Sequence, residues 1–141
     1  MHTLHFDGAC RGNPGPSSFG CSISLDGEEI DSKCFFIGKA TNNVAEYSGA
    51  LYGLRRCLSL DIFDVIVYGD SLLVIKQVTK QWKINNANLK RFHTEITGLI
   101  PKFNSIEFKH IKRHLNTRAD ELANIALNNR SGHSLLPDQS S

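Results

Sequence analysis

The sequence predicts an α/β fold, a mixed sheet of five strands flanked by helices. Three observations carry this. Apolar residues alternate with polar ones through most of the first 40 residues, broken by a two-residue turn signal. The period then switches to three- and four-residue steps at residue 42. After that, short β-branched or alternating runs are interleaved with helical ones, which implies crossover connections and helices packed on a sheet.

The elements follow in order. "HTLHFD" places Leu4 and Phe6 on one face and Thr3, His5 and Asp7 on the other. "FGCSISLDGEEI" keeps Phe19, Cys21, Ile23 and Leu25 in phase until Asp26-Gly27, a hairpin signal, and "SKCFFIGK" returns as a third strand. Between the first two lies "GACRGNPG", a loop rich in Gly, Asn and Pro that offers a core almost no apolar surface. "NNVAEYSGALYGLRRCL" reads as a helix with Val44, Tyr47, Leu51, Leu54 and Leu58 on an apolar face. Its second face, Glu46, Ala50, Gly53 and Cys57, is narrow and small, suited to close approach to a sheet. "FDVIVYG" reads as a buried strand, "SLLVIKQVTKQW" and "NLKRFHTEITGLI" as helices, the latter closed by Pro101. "SIEFKHIKR" alternates again, and "TRADELANIALNN" is a final helix with Leu122, Ile125 and Ala126 inward.

The chain of 141 residues is 40% hydrophobic, enough for one domain with one core, expected over residues 1–129 and followed by a flexible tail from 130 to 141. No run of 18 apolar residues occurs, and "MHTLHFDG" lacks the layout of a signal peptide, so an intracellular protein with no membrane partner is expected. Cys10, Cys21, Cys34 and Cys57 show no CxxC spacing and read as reduced, mostly buried thiols. The net charge of +2 hides a division: residues 1–75 carry −4 and residues 76–118 carry +8. A carboxylate-rich half beside a basic half suits a protein that handles phosphates through a metal, although a solvated helical face produces charge runs too.

Four carboxylates stand out. Asp7 ends the first strand and Asp70 follows the fourth; if those strands are neighbours, both face the crevice beyond the strand ends where ligands collect in such sheets. Glu46 sits on the small face of the first helix, where an unpaired charge is costly, and Asp120 lies in the first turn of the last helix. Local uses compete: Asp70-Ser71 fits a helix cap, Thr117 with Asp120 resembles a capping box, and Asp7-Gly8 can start a turn. Oxygen donors without a His or Cys cluster favour Mg²⁺ or Mn²⁺, and a pair of ions about 3.5–4 Å apart suits in-line phosphoryl displacement.

"DGACRGNPGPSSFG", "TNNVAEY", "YGDS" and "TRADELAN" resemble, in order and with compatible spacing, the four signature blocks of the type 1 ribonuclease H family. The resemblance covers residues 3 to 128. It implies a ribonuclease H-like five-stranded sheet, three antiparallel strands then two parallel. The activity it implies is endonucleolytic cleavage of the RNA strand of an RNA/DNA hybrid, leaving 5′-phosphate and 3′-hydroxyl ends. On it, Asp7, Glu46, Asp70 and Asp120 match the metal-binding carboxylates, for two Mg²⁺ ions with Mn²⁺ as substitute. Gly8, Cys10, Arg11 and Asn13 fall in the loop that approaches the hybrid, Asn42 and Asn43 match groove-reading asparagines, and Thr41 resembles a DNA-phosphate ligand. Amides suit this use because they can bond base edges and the 2′-hydroxyl that distinguishes RNA; an N-cap is the competing use of Asn42-Asn43. Ser71, Lys80 and Trp82 join the expected substrate contacts, with Lys83, Lys90 and Arg91 completing a basic patch.

The chain also departs from the family. Leu72 stands where many members have Gln, and only "KINNAN" links Trp82 to Leu89 where many carry an added basic helix. No separate hybrid-binding domain is expected before the catalytic one. Larger members hold a mobile His about ten residues before the last carboxylate; here His114 lies six before it and Arg113 seven, and one of the two is expected to meet the scissile phosphate or product. The expected protein is a monomer acting on a hybrid duplex. Double-stranded RNA, an RNA–DNA junction, or a silent hybrid-binding module are the alternatives.

Overall fold

The alternating first 40 residues form a three-stranded antiparallel meander in the computed structural model, which describes residues 1–130. Strand β1 (His2–Cys10) pairs with β2 (Gly15–Leu25), and β2 with β3 (Glu28–Ala40). Asp26 and Gly27 close the second hairpin with φ of 52° and 85°, the pair of positive values that a type I′ turn requires. The chain continues through α1 (Asn42–Ser59), β4 (Asp64–Gly69), α2 (Leu72–Val78), α3 (Ala87–Leu99), β5 (Ser105–His110) and α4 (Thr117–Asn128). The sheet order is β3-β2-β1-β4-β5, with β4 parallel to β1 and β5 parallel to β4. The expected five-stranded mixed sheet is therefore present, and the first and fourth strands are neighbours.

Helix α1 covers one face of the sheet. Its small side, Glu46, Gly49, Ala50, Gly53 and Cys57, is entirely buried, and a methyl group on Gly53 would lie 2.8 Å from the Leu4 side chain. That closeness lets Leu4, Phe6, Ile23, Leu54, Val65 and Val67 form one core layer between helix and sheet. Fully burying each such side chain contributes about 1.5–3 kcal/mol. Helix α4 lies on the opposite face and seats on Gly20, where an added methyl would come within 2.7 Å of Ala119 O. Ser18 Oγ donates to Ala123 O there, fixing the helix that carries Asp120.

Some expectations are corrected. The loop after Asp7 is shorter than expected, because β1 extends to Cys10 and β2 begins at Gly15. The helix expected through Trp82 stops at Val78: Gln81 N bonds to Lys76 O at 2.8 Å and Lys80 N to Gln77 O at 3.0 Å, with Lys80 at φ 63°. This is a Schellman ending with Lys in the position that usually holds Gly. Ile125 faces solvent at 41% exposure while Leu122 and Ala126 are buried, so the inward face of α4 is narrower than expected. All four cysteines are free, and Cys21, Cys34 and Cys57 are buried. Residue 130 apart, the expected tail lies outside the described residues. Among the described residues no helix is long and apolar enough to cross a membrane.

Candidate metal centre and nucleic-acid interface

Parallel pairing of β1 with β4 ends at Phe6 opposite Gly69, so Asp7, still within β1 and paired with Gly20 of β2, and Asp70, just past β4, come to lie side by side. Glu46 reaches the same point from the first turns of α1. One carboxylate oxygen from each of Asp7, Glu46 and Asp70 lies within 4.8 Å of the others. Asp7 and Glu46 are buried, and the Gly8 amide donates to both, at 2.9 Å to Asp7 Oδ1 and 3.1 Å to Glu46 Oε1. Asp120 joins them from α4 as the fourth carboxylate lining a cleft of about 340 Å³, together with Gly8, Cys10, Arg11, Asn42, Arg113, Asn124 and others.

The electrostatics match a site built for cations. Burial first, then the Asp70 charge and the Asp120 carboxyl beside it, push the Asp7 pKa up to about 8. Burial first, then the charges of Asp7 and Asp70, push Glu46 well above the usual carboxylate range. Ionised together, these groups repel one another, and a divalent cation removes the repulsion. An all-oxygen donor set of this density fits Mg²⁺ or Mn²⁺.

The competing local uses are not taken up. Ser71, not Asp70, caps α2, accepting from Val74 N at 3.3 Å. Asn116, not Thr117, occupies the N-cap of α4, and no side-chain capping bond forms there. Thr41 caps α1 through Val44 N at 3.2 Å, which spares Asn42 and Asn43 that task. Asn13 Oδ1 accepts from the Asn42 amide at 2.9 Å, tying the β1–β2 loop to the start of α1.

The other expected residues divide. Gly8, Cys10, Arg11 and Asn42 line the carboxylate cleft, and Arg11 is bonded to Asn128 of α4. Arg113 lines it too, with Nη2 3.7 Å from Asp120 Oδ1, whereas His114, in the same single turn, is exposed and outside the cleft lining. Asn43 is half-buried in the first turn of α1. Thr41 lines a second hollow of about 420 Å³ with Lys39, Asn88 and Arg91. Lys80 and Trp82 line neither hollow; Trp82 is 46% exposed and does not close the core. Lys39, Asn88, Asn124 and Asn116 were not singled out from the sequence. Lys39 and Asn88 are 49 residues apart and carry no local pattern, so only the fold brings them together.

Fold and site together define an α/β protein whose clustered carboxylates could hold a cation, open to a cleft beside β1 and β4. Comparison places it more narrowly. A family model described as reverse transcriptase-like matches residues 5–126. Ribonuclease HI of Halobacterium salinarum is 40% identical over 124 residues, covering 87% of this chain and 62% of that protein. Ribonuclease H of Maricaulis maris is 32% identical, covering 86% of this chain and 89% of its own length. The solved RNase H1 of Halobacterium salinarum superposes with a TM-score of 0.88 at 39% identity, over 91% of this chain and 98% of that one. LC11-RNase H1, solved in complex with an RNA/DNA hybrid, gives 0.87 at 31% identity, over 93% and 99%. The chain belongs to the ribonuclease H family. It spans 62% of the length of the archaeal curated relative and 35% of its mycobacterial ones.

Proposed function

We propose that the chain is an endoribonuclease that hydrolyses the RNA strand of RNA/DNA hybrids by two-metal-ion catalysis, leaving 5′-phosphate and 3′-hydroxyl ends. The observation that carries this is the meeting of Asp7, Glu46 and Asp70 oxygens within 4.8 Å, beside Asp120, in an open cleft. The solved hybrid complex of a relative with nearly the same fold supports the substrate. Residues 1–129 form the catalytic domain in this reading, and the protein acts as a monomer.

Asp7, Glu46, Asp70 and Asp120 would hold Mg²⁺, with Mn²⁺ as substitute. Ions bound there supply Lewis-acid polarisation of the phosphoryl oxygens and a nucleophile from water at neutral pH. The protein's own part is placement. Amides of the Gly8–Asn13 segment and the side chains of Asn13, Asn42 and Asn43 face the minor groove, where 2′-hydroxyls mark the RNA strand. Thr41, with Lys39 and Arg91 in the second hollow, offers a hydroxyl and two cations to a phosphate of the DNA strand. Ser71, Lys80 and Trp82 extend the contact along the duplex. Arg113, beside Asp120, holds the scissile phosphate or the product, and the exposed His114 is the lesser candidate.

The test is cleavage of a labelled hybrid, the matching RNA duplex and the DNA duplex, each with Mg²⁺, Mn²⁺ or EDTA, with Asp70→Asn as control. Metal-dependent cutting of the hybrid's RNA strand alone, lost in the variant, is the expected result. Hybrid binding without cutting under either metal would leave a binding module; cutting of the RNA duplex would move the substrate.

A further inference from the structure

Asn116 is 1% exposed, and none of the local patterns in the sequence points to it. It precedes the first residue of α4, where an Asn ordinarily turns its side chain to the helix amides. Here the side chain turns into the protein instead. Nδ2 donates to Phe6 O at 2.9 Å and to Asp70 Oδ2 at 3.4 Å, one acceptor for each of its two protons. The backbone carbonyl of the same residue accepts from Asp120 N at 3.1 Å, and its amide bonds to Arg113 O at 2.9 Å. Phe6 is the residue before Asp7. One buried side chain and its backbone therefore touch the Asp70 carboxylate, the stretch of β1 that presents Asp7, and the turn that presents Asp120.

A residue serving only the helix would cap it. Asn116 forgoes the cap, and its Oδ1 has no hydrogen-bond partner among the described residues. The arrangement is explained by the other end of the amide: carboxylates that hold a metal are themselves held by donors behind them, and those donors fix which oxygen faces the ion. Ser71, the immediate neighbour of Asp70, accepts from Val74 N and makes no hydrogen bond to the Asp70 carboxylate among the described residues. His110 reaches only the Asp70 main-chain oxygen, at 3.3 Å.

We propose that Asn116 is a positioning residue of the metal centre, orienting the Asp70 carboxylate through Nδ2 and locking α4, with Asp120, in register against β1 beside Asp7. This rests on the reading of the carboxylates as a metal centre. A purely structural tie between α4 and β1 would need the Phe6 bond alone.

The decisive measurement is Mn²⁺ affinity by titration calorimetry for the unaltered protein and for Asn116→Ala, with far-UV circular dichroism confirming that the variant is folded at the assay temperature. A loss of roughly 10–100-fold in Mn²⁺ affinity is expected, the scale of removing a group that orients a ligand. The companion expectation is a fall in kcat with the KM for hybrid unchanged. Undiminished Mn²⁺ affinity in folded Asn116→Ala overturns the inference and leaves the metal centre standing. Failure of the unaltered protein to bind Mn²⁺ overturns the metal centre itself. Should Asn116→Ala not fold, ¹⁵N spectra of the unaltered protein decide: the Asn116 side-chain amide should shift on adding Mg²⁺ while that of exposed Asn104 stays put. An unmoved Asn116 amide overturns the inference.

Discussion

The amide of Gly8 donates to Glu46 Oε1 at 3.1 Å, and a methyl group on Gly8 would lie 2.5 Å from the backbone nitrogen of Glu46. The end of β1 and the beginning of α1 thus touch backbone to backbone, and that contact brings the Glu46 carboxylate to Asp7. Gly8→Ala cannot be accommodated without parting strand and helix. We expect destabilisation of about 1–3 kcal/mol from the overpacking, read as a lowered thermal midpoint, together with weaker Mn²⁺ binding. A variant with unaltered melting and metal affinity would show that the contact is dispensable.

The raised carboxyl pKa values give a pH dependence with a definite sign. In the folded, metal-free protein Asp7 keeps its proton up to about pH 8, held there by burial first and by Asp70 and Asp120 next, and Glu46 shifts the same way. In the unfolded chain both groups ionise near pH 4. The folded state therefore binds more protons, and the associated stability is complete below about pH 4 and lost as the pH rises to 8. Thermal midpoints in EDTA should fall from pH 5 to pH 8. In Mg²⁺ the fall should be smaller, because the cation takes over from the protons, so metal stabilises most at the alkaline end. Parallel midpoint curves with and without Mg²⁺ would refute this.

The sequence made the fold and the four carboxylates readable for physical reasons, and the same reasons mark what it hid. Asp26-Gly27 announced its turn because few residues tolerate two positive φ values. Asp70 was legible because a strand end is visible as a change of period, and Glu46 because a charge stood on a face meant for close packing; Asp7 was singled out as a strand end although β1 runs on to Cys10. The end of α2 was hidden because Lys80 fills the left-handed position where Gly would have signalled a stop. Asn116 was hidden because its local pattern is that of a helix cap, and only the fold shows the side chain turned inward to Phe6 and Asp70. Lys39 and Asn88 come together from distant segments, which no local pattern encodes.

The turn before α4 separates two candidates that spacing alone left open. Arg113 lines the cleft 3.7 Å from Asp120, while His114 is exposed and absent from the cleft lining. The Arg113 side chain is 81% exposed, so the ion pair with Asp120 contributes little to stability, and the guanidinium can swing to a phosphate. Arg113→Ala should lower kcat on hybrid about tenfold or more, as removing one donor to developing phosphate charge does, with the thermal midpoint unchanged. His114→Ala should leave turnover unaltered. The reverse order of effects would transfer the role to His114.

The basic segment after α2 hangs on a buried pair. Tyr47 is fully buried, and its hydroxyl donates to Gln77 Oε1 at 2.6 Å. Gln77 Nε2 in turn donates to Lys83 O at 3.1 Å, which holds the chain carrying Lys80, Trp82 and Lys83 folded back on the helix. Tyr47→Phe removes the donor and leaves a buried amide oxygen unpaired, at a cost of about 1–3 kcal/mol. Adding Gln77→Leu removes the stranded acceptor as well, so the double variant should recover part of that loss, since a buried polar pair replaced by apolar groups is nearly neutral. It also frees Lys83 from the helix, so the two properties should separate. Melting should improve from the single to the double variant, while the KM for hybrid should rise in the double variant with kcat retained. A double variant with unchanged KM would show that Lys80, Trp82 and Lys83 take no part in gripping the duplex.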